Sequence, residues 1–203
     1  MRFAHAALVL LVLTAACAKA DSTNAKPKGA DEIAPPQAQL QSQQEQRGYE
    51  QFVQRVGEYL ELHNRLAATL PKLPAEATPE QIVAHQRTLA KLIQTERATA
   101  RRGDIFGTEA EASIKAVLRR VFGGPDGKQL VASIQDENPG RVKITLNGRY
   151  PDQVPLSTVP PQVLASLPRL PPELEYRFID DRLILLDVRA HIIIDYIDKA
   201  LPV

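Results

Sequence analysis

The sequence has little sulfur and few aromatic rings. Its 203 residues include one cysteine, one methionine and no tryptophan, and aromatic residues make up 5%. The cysteine, Cys17, lies near the N-terminus, so the rest of the chain can form no disulfide and supplies no thiol nucleophile. The core must therefore consist mainly of Leu, Ile, Val and Ala, which suffice for a domain of this size.

The sequence also lacks an excess of either charge. Its formal net charge is +1, from 25 basic and 24 acidic residues. If processing removes Arg2 and Lys19, 23 basic residues remain against 24 acidic ones. A nearly neutral chain produces no long-range field that attracts phosphate groups, so we expect no nucleic-acid partner.

Residues 1–20 have the three-part plan of a secretory signal. Arg2 precedes an apolar run over residues 6–16, and small residues follow up to Ala20. This run of eleven residues is too short to span a bilayer, which requires about 20. The sequence therefore predicts export to the periplasm.

Two processing sites fit this segment. Ala18-Lys19-Ala20 before Asp21 is an A-x-A cleavage site, which would release a soluble periplasmic protein. Leu13-Thr14-Ala15-Ala16-Cys17 resembles the lipobox of bacterial lipoproteins, in which the cysteine is acylated. Thr14 departs from that pattern, which usually has Leu, Val or Ile at this place. We expect the soluble form, and acylation of Cys17 is the alternative and the one route to membrane attachment.

Residues 21–46 are rich in Gln, Ala, Pro and Lys and contain few bulky apolar side chains. Such a segment cannot bury enough surface to offset the entropy of ordering it. The composition therefore predicts a disordered tether over 21–46, followed by a single domain over 47–203.

Helix signals open this domain. Between residues 49 and 70, apolar side chains recur at steps of three and four, which predicts one amphipathic helix. Thr78 is a good N-cap for a second helix, and Gln81 completes a capping box. Gly103 is expected to end that helix.

Two further helices are predicted. Thr108 is expected to cap the third helix, which closes at Gly123-Gly124, and a shorter fourth helix is expected over 125–134. With these elements, helices are expected to fill residues from about 47 to 137.

Strand signals dominate the C-terminal part, about residues 141–203. Residues 141–146 alternate polar and apolar side chains, which predicts a half-buried strand. Residues 151–172 contain seven prolines and predict an ordered strap with a helical turn at 162–167. Residues 174–197 predict a three-stranded meander, in which 182–197 could instead form one continuous strand. The predicted class is α+β: a helical, bundle-like N-terminal half packed on a small C-terminal antiparallel meander.

Short motifs of proline, aromatic and aliphatic residues are spread over residues 147–202. They are Arg149-Tyr150-Pro151, Pro155-Leu156, Pro160-Pro161, Leu170-Pro171-Pro172, Leu174-Glu175-Tyr176-Arg177-Phe178 and Leu183-Ile184-Leu185-Leu186-Asp187. Together with Ala84-His85-Gln86 and Gly103-Asp104-Ile105-Phe106, they make most of the chain beyond the signal resemble a family of uncharacterised exported bacterial proteins. The resemblance implies export and brings no established activity.

Residues 171–197 carry a second pattern. A Pro-Pro pair precedes an aromatic strand, an acidic turn, an aliphatic strand that ends in Asp187, and a strand with the pattern Ile-x-Asp-x-Ile. This plan is similar to the C-terminal hairpin of periplasmic proteins associated with nickel and cobalt homeostasis. The chain has no His-rich or Gly-rich segment, so the resemblance does not imply a metal role here.

Asp187, His191 and Asp195 are candidates for chemistry because they are spaced by four residues. On one continuous strand they would share a face, but neighbours would lie roughly 13 Å apart, too far for a direct hydrogen bond. Asp187 and His191 remain candidate catalytic residues. The favoured interpretation is that Asp187 and Arg189 organise a turn while His191 and Asp195 face water.

His63, His85 and Asp104 are the other candidates. A zinc site needs three or four converging ligands, and the sequence offers no set with the usual close spacing. The favoured interpretation places the two histidines on partly exposed helix surfaces and Asp104 in a turn. The alternative is a dispersed hydrolase-like site in which Asp104, His85 and Asp187 meet.

The sequence contains no G-x-S-x-G, P-loop, dinucleotide fingerprint or H-E-x-x-H pattern. We therefore expect a non-catalytic envelope protein that acts by binding, as an adaptor or assembly factor, without cofactor or metal. Its partner is expected to be another envelope protein, and the last strand is expected to leave a sheet edge open for pairing. The alternatives are a periplasmic hydrolase-like enzyme and a metal-responsive periplasmic protein.

Overall fold

The computed structural model describes residues 36–137, 142–152, 154–155 and 159–202. The predicted signal over 1–20, with Cys17, and residues 21–35 of the predicted tether lie outside the described residues. The described residues form helices first and a small antiparallel sheet at the C-terminal end, which confirms the predicted α+β class.

Five helices and three strands occur in the described residues. The helices are α1 (Pro36–Ala67), α2 (Pro79–Glu96), α3 (Gly107–Phe122), α4 (Gly127–Asp136) and the short α5 (Pro161–Leu164). The strands are β1 (Leu174–Ile179), β2 (Arg182–Asp187) and β3 (Ile192–Ile197). The helical part and the meander therefore lie close to their predicted positions, and α5 lies where the strap is predicted to make a helical turn.

Helix α1 is longer than the sequence pattern predicts. It begins at Pro36, so residues 36–46, assigned above to a disordered tether, are helical, and the predicted boundary at 47 is wrong. Gln, Ala and Glu tolerate or favour helix, and proline suits a first helical position. One contact with α3 falls within the extension, where Arg120 Nη1 lies 3.4 Å from Glu45 Oε1.

Helix α2 starts as predicted. The Gln81 amide donates to Thr78 Oγ1, and the Thr78 amide donates to the Gln81 side chain, which confirms the capping box. Proline at the first helical position fixes a backbone angle that suits the helix. The N-terminus of α2 is therefore specified locally by the sequence.

The segment between α2 and α3, residues 97–106, corrects two predictions. Helix α2 ends at Glu96 rather than near Gly103, which lies in a turn with φ +88°. Helix α3 begins at Gly107 without a side-chain cap, so the predicted Thr108 cap is wrong. The cause is tertiary, because backbone amides of this turn donate to a buried carboxylate of the sheet, as described below.

The sheet has the order β1-β2-β3, and neighbouring strands are antiparallel. The β1–β2 register places Leu174 opposite Asp187. A β-bulge at Ile194 interrupts the pairing of β3 with β2. Residues 182–197 are thus two strands joined by a turn over 188–191, which decides between the two alternatives left open above.

Apolar clusters cover both faces of the sheet. On the helical face, strand residues such as Leu185 join a large core that includes Phe52 of α1 and Ile114 of α3. On the other face, which we call the strap face, a smaller cluster contains Tyr150 and Ile184. The sheet is therefore a middle layer, between helices and the segment that follows α4.

The predicted strand over 141–146 is wrong for the described residues 142–146, which belong to no ladder. Backbone pairing with β3 begins only at Asn147, whose φ of +55° turns the chain. The Asn147 amide donates to the Ile193 carbonyl over 2.7 Å, and the Tyr150 amide donates to the His191 carbonyl over 2.9 Å. The edge of β3, expected above to be open, is therefore occupied along this stretch by the chain itself.

Gly48 marks a close approach of α1 to α3. A Cβ at this position would lie 2.9 Å from the carbonyl carbon and 3.0 Å from the carbonyl oxygen of Glu109. Because these are backbone atoms, the helices must separate to relieve the contact. We expect Gly48→Ala to lower the free energy of unfolding by about 1–3 kcal/mol, measured by urea unfolding.

Gly57, on the same helix, provides the matched control. A Cβ there would have no atom within 4 Å. Since alanine favours a helix more than glycine does, Gly57→Ala is expected to raise the free energy of unfolding by about 0.5–1 kcal/mol. Equal effects of the two substitutions would contradict the contact between α1 and α3.

Candidate functional site

Asp187 is the last residue of β2, and its side chain is fully buried. It points to the helical face, because it alternates in step with Leu183 and Leu185 of the large core. Its Oδ1 atom accepts hydrogen bonds from the amides of Arg189 and Ala190, at 2.9 Å and 2.8 Å. The side chain of Asp187 thus organises the turn after β2, as the sequence analysis expects.

The second carboxylate oxygen of Asp187 joins β2 to α1. Oδ2 accepts a hydrogen bond from the Tyr59 hydroxyl over 2.6 Å and lies 2.6 Å from His63 Nδ1. Tyr59 and His63 are four residues apart, so they share the buried face of α1. We assign the bridging proton to Nδ1, because a carboxylate oxygen can only accept. These residues are called the Tyr59–His63–Asp187 cluster below.

Burial dominates the electrostatics of the cluster. It raises the pKa of Tyr59 well above the usual 10.0, and the charge of Asp187 raises it further. The Tyr59 phenol is therefore protonated and acts as a donor. The Arg97 guanidinium carbon lies 5.2 Å from the centre of the Tyr59 ring, where its positive charge meets the electron-rich face.

The cluster has the residue types of an acid–base site without the access that such a site needs. His63 and Asp187 are 0% exposed, and Tyr59 is 4% exposed. His63 Nε2 is buried and has no hydrogen-bond partner among the described residues. A general acid or base must come within hydrogen-bond reach of the proton that it transfers. The arrangement instead fixes α1 on the sheet.

Asp195 of β3 organises a second buried polar site. The β-bulge turns its side chain to the helical face, opposite Leu185. Its carboxylate accepts four backbone hydrogen bonds of 2.8–2.9 Å, from the amides of Gly103, Ile105, Phe106 and Tyr196. Burial raises the pKa of Asp195, and these donors oppose the shift. The expectation that Asp195 faces water is wrong, because the bulge changes the direction of its side chain.

The remaining candidates do not join either buried site. His191 is half-buried, has φ +56°, and places its ring 5.6 Å from that of Tyr150. The pKa of His191 is lowered, mainly because the ring is partly buried. Asp104 is exposed in the α2–α3 turn, and His85 is half-buried on α2. Among the described residues, no hydrogen bond links Asp104, His85 or His191 to Asp187.

The sequence analysis missed the partners of Asp187. It places His63 on a partly exposed helix surface, whereas the structure shows it fully buried, so this prediction is wrong. The signal lies in the helical period of α1, where Phe52, Val56, Tyr59, His63 and Leu66 follow at alternating steps of four and three and are all buried. A histidine in phase with such a stripe must find its polar partner across the core.

The described ranges also bear on metal binding and membrane insertion. No group of three or more His, Cys, Asp or Glu side chains there could hold a metal ion. No helix within those ranges has the length and apolar character needed to cross a membrane. Acylation of Cys17 falls outside the described residues.

Two open hollows beside α1 bear on function. The first, which we call the α1–α3 groove, has a volume of about 640 Å³, and its lining includes Gln41, Gln44, Gln51, Thr108, Ala112 and Ala116. The second, which we call the arginine hollow, has a volume of about 300 Å³ and lies between α1 and the α2–α3 turn. Arg55 and Arg97 both line it.

The buried cluster and the two hollows differ in access. His63 and Asp187 are closed to solvent, and Tyr59 forms part of the wall of the arginine hollow. The α1–α3 groove and the arginine hollow are open to solvent, so a partner or ligand can reach these two but not His63 or Asp187. No protein-family model matches the chain, and no curated protein or solved structure is significantly similar to it.

Proposed function

We propose that this chain is a non-catalytic protein of the bacterial envelope that acts by binding another envelope protein. The observation that carries the proposal is a contrast in access. The His63 and Asp187 side chains of the Tyr59–His63–Asp187 cluster are sealed in the core, whereas the α1–α3 groove is open. Export to the periplasm is part of the proposal and is supported by the signal-like pattern of residues 1–20.

The α3 side of the groove is built from small side chains. Ala112 and Ala116 are four residues apart and share one face of α3, and Ser113 lies beside them. The distance at which another backbone can pack on a helix depends on the side chains at the contact. These small residues therefore allow a polypeptide segment to approach α3 closely.

The α1 side supplies groups that can bind a peptide backbone. Gln41, Gln44 and Gln51 each carry amide donors and an acceptor. The charged residues of the groove are balanced, with two basic and two acidic side chains: Arg47, Arg120, Glu45 and Glu109. An electrically balanced groove suits a polypeptide of mixed sequence better than a polyanion. We therefore propose a segment of an envelope protein as the occupant.

The enzymatic alternative requires Asp104, His85 and Asp187 to act together. Asp187 is fully buried and its four close contacts are used within the core, whereas Asp104 lies exposed in the α2–α3 turn. Within the described residues, the metal-responsive alternative has no cluster of ligands to support it. Neither alternative is favoured by a specific contact of this structure.

The groove is tested by cross-linking in intact cells. A photoreactive residue at Gln44 is expected to cross-link one envelope protein reproducibly, and the cross-linked peptide is identified by mass spectrometry. Ala112→Arg, which fills the groove from an exposed position on α3, is expected to abolish that cross-link. The matched control is the same photoreactive residue at Arg87, which is exposed on α2 and does not line the groove.

Two outcomes would contradict the proposal. One is an equal yield of the same product from positions 44 and 87, which would indicate random collision. The other is the absence of any product from position 44 while the purified variant remains folded. A cross-link that survives Ala112→Arg would place the contact outside the groove.

A further inference from the structure

Arg55 of α1 is held over Gly107, the first residue of α3. A Cβ on Gly107 would lie 1.7 Å from Arg55 Nη1, so the guanidinium occupies the space that a side chain would fill. Gly107 also has φ +72°, which glycine adopts without strain. Arg55 Nη1 is nevertheless buried without a hydrogen-bond partner among the described residues. A buried charged donor of this kind needs an acceptor, which water or a bound ligand can supply.

The arginine hollow contains charges of both signs that do not pair with one another. Its charged lining consists of two guanidinium groups and three carboxylates, from Arg55, Arg97, Glu58, Glu96 and Asp104. Within the described residues, no ion pair of 4.0 Å or less joins one of these guanidinium groups to one of these carboxylates. Glu96 pairs instead with Arg65 over 3.4 Å, and Arg97 Nη2 donates to the Ile194 carbonyl over 3.0 Å.

The rest of the lining is mainly apolar. Tyr59, Leu62, Ala100 and Ile105 contribute to it, and Thr99 adds one hydroxyl group. The volume of about 300 Å³ lies at the lower end of the range for small-molecule sites. The hollow therefore fits a small ligand with an apolar part between charged ends.

The charge pattern selects the class of ligand. A simple anion would face three carboxylates, and a simple cation would face two guanidinium groups. A zwitterion satisfies both sets, because guanidinium groups pair with carboxylates and carboxylates pair with ammonium groups. We propose that the arginine hollow binds a small zwitterion, a free amino acid or a dipeptide. Arg55 and Arg97 hold its carboxylate, and Asp104 and Glu58 hold its ammonium group.

This site is separate from the α1–α3 groove, which is lined by an earlier stretch of α1 and shares no lining residue with the hollow. The two proposals can therefore fail independently. Arg55→Gln is expected to weaken ligand binding about tenfold or more and to leave the cross-link from position 44 intact.

The test is isothermal titration calorimetry on the purified chain with the dipeptide Ala-Ala. Two blocked forms serve as matched probes: N-acetyl-Ala-Ala lacks the ammonium group, and Ala-Ala amide lacks the carboxylate. Each blocked form is expected to bind about tenfold or more weakly than Ala-Ala, because it leaves one set of charges without a partner. Equal binding of Ala-Ala and either blocked form would overturn the zwitterion assignment.

Variants locate the binding on the hollow. Arg55→Gln and Asp104→Asn are each expected to weaken Ala-Ala binding about tenfold or more, and Arg119→Gln, exposed on α3 and outside the hollow, is expected to leave it unchanged. Far-ultraviolet circular dichroism checks that each variant is folded. Unchanged binding in both Arg55→Gln and Asp104→Asn would overturn the proposal. So would failure of all three compounds to bind with a Kd below about 1 mM.

Discussion

Asp187→Asn is expected to lower the free energy of unfolding by about 3–5 kcal/mol, because it breaks a buried charged network from one side. The carboxylate contacts two side chains of α1, the Tyr59 hydroxyl and His63 Nδ1, each at 2.6 Å. It also accepts hydrogen bonds from two amides of the turn after β2. Asparagine keeps the size of the side chain but presents a donor to one pair of these groups. The expected loss of unfolding free energy therefore measures the hydrogen bonds of Asp187 and not the effect of a cavity.

The measurement is equilibrium urea unfolding, with Asp152→Asn as the control. The Asp152 side chain is 73% exposed and pairs with Arg149 over 3.1 Å. An exposed ion pair of this kind contributes little, so the control is expected to change stability by less than about 1 kcal/mol. A loss of less than about 1 kcal/mol for Asp187→Asn would show that the cluster does not fix α1 on the sheet.

Tyr59 and His63 can be separated by a double-mutant cycle. Tyr59→Phe and His63→Leu each remove one partner of Asp187 and leave the other in place. Because both side chains contact the same oxygen, their effects are expected to be non-additive. If the effect of the double mutant differs from the sum of the two single effects, the three residues act as one network.

Elements specified by nearby residues were predictable from the sequence. The capping box at Thr78 and the period of apolar residues along α1 act through steps of three or four residues, and both predictions are confirmed. The end of α2 was not predictable in this way. Gly103 is a good local stop, but the chain leaves the helix at Glu96, because Asp195, 92 residues beyond Gly103, binds the turn.

The candidate site depends almost wholly on distant contacts. Asp187 was found by its spacing to His191, yet its partners lie 128 and 124 residues earlier, on α1. Asp195 was expected to face water because a regular strand alternates, and the bulge at Ile194 breaks that alternation. A bulge adds one residue to a strand and leaves no clear mark in the sequence. The two buried carboxylates of the described residues, Asp187 and Asp195, were therefore named from the sequence, but their surroundings were not.

Asp195→Ala is expected to lower the free energy of unfolding by about 2–4 kcal/mol, because it removes the acceptor for four backbone amides. The amides of Ile105 and Phe106 are buried, so water cannot easily replace the carboxylate there. Those of Gly103 and Tyr196 are partly buried and can regain some hydrogen bonding from solvent. The amides of Ile105 and Phe106 should therefore account for most of the lost free energy of unfolding.

Hydrogen exchange distinguishes this cause from a general loss of stability. In Asp195→Ala, the amides of Ile105 and Phe106 are expected to exchange faster than global unfolding alone allows, because the α2–α3 turn opens locally. Asp152→Ala is the control: its side chain is 73% exposed and pairs with Arg149 over 3.1 Å, and among the described residues none of its hydrogen bonds or ion pairs involves the α2–α3 turn. If exchange in the turn merely follows global stability, Asp195 does not anchor it. If the turn opens locally, Asp195 also sets the position of Asp104, and Asp195→Ala should then weaken dipeptide binding in the arginine hollow.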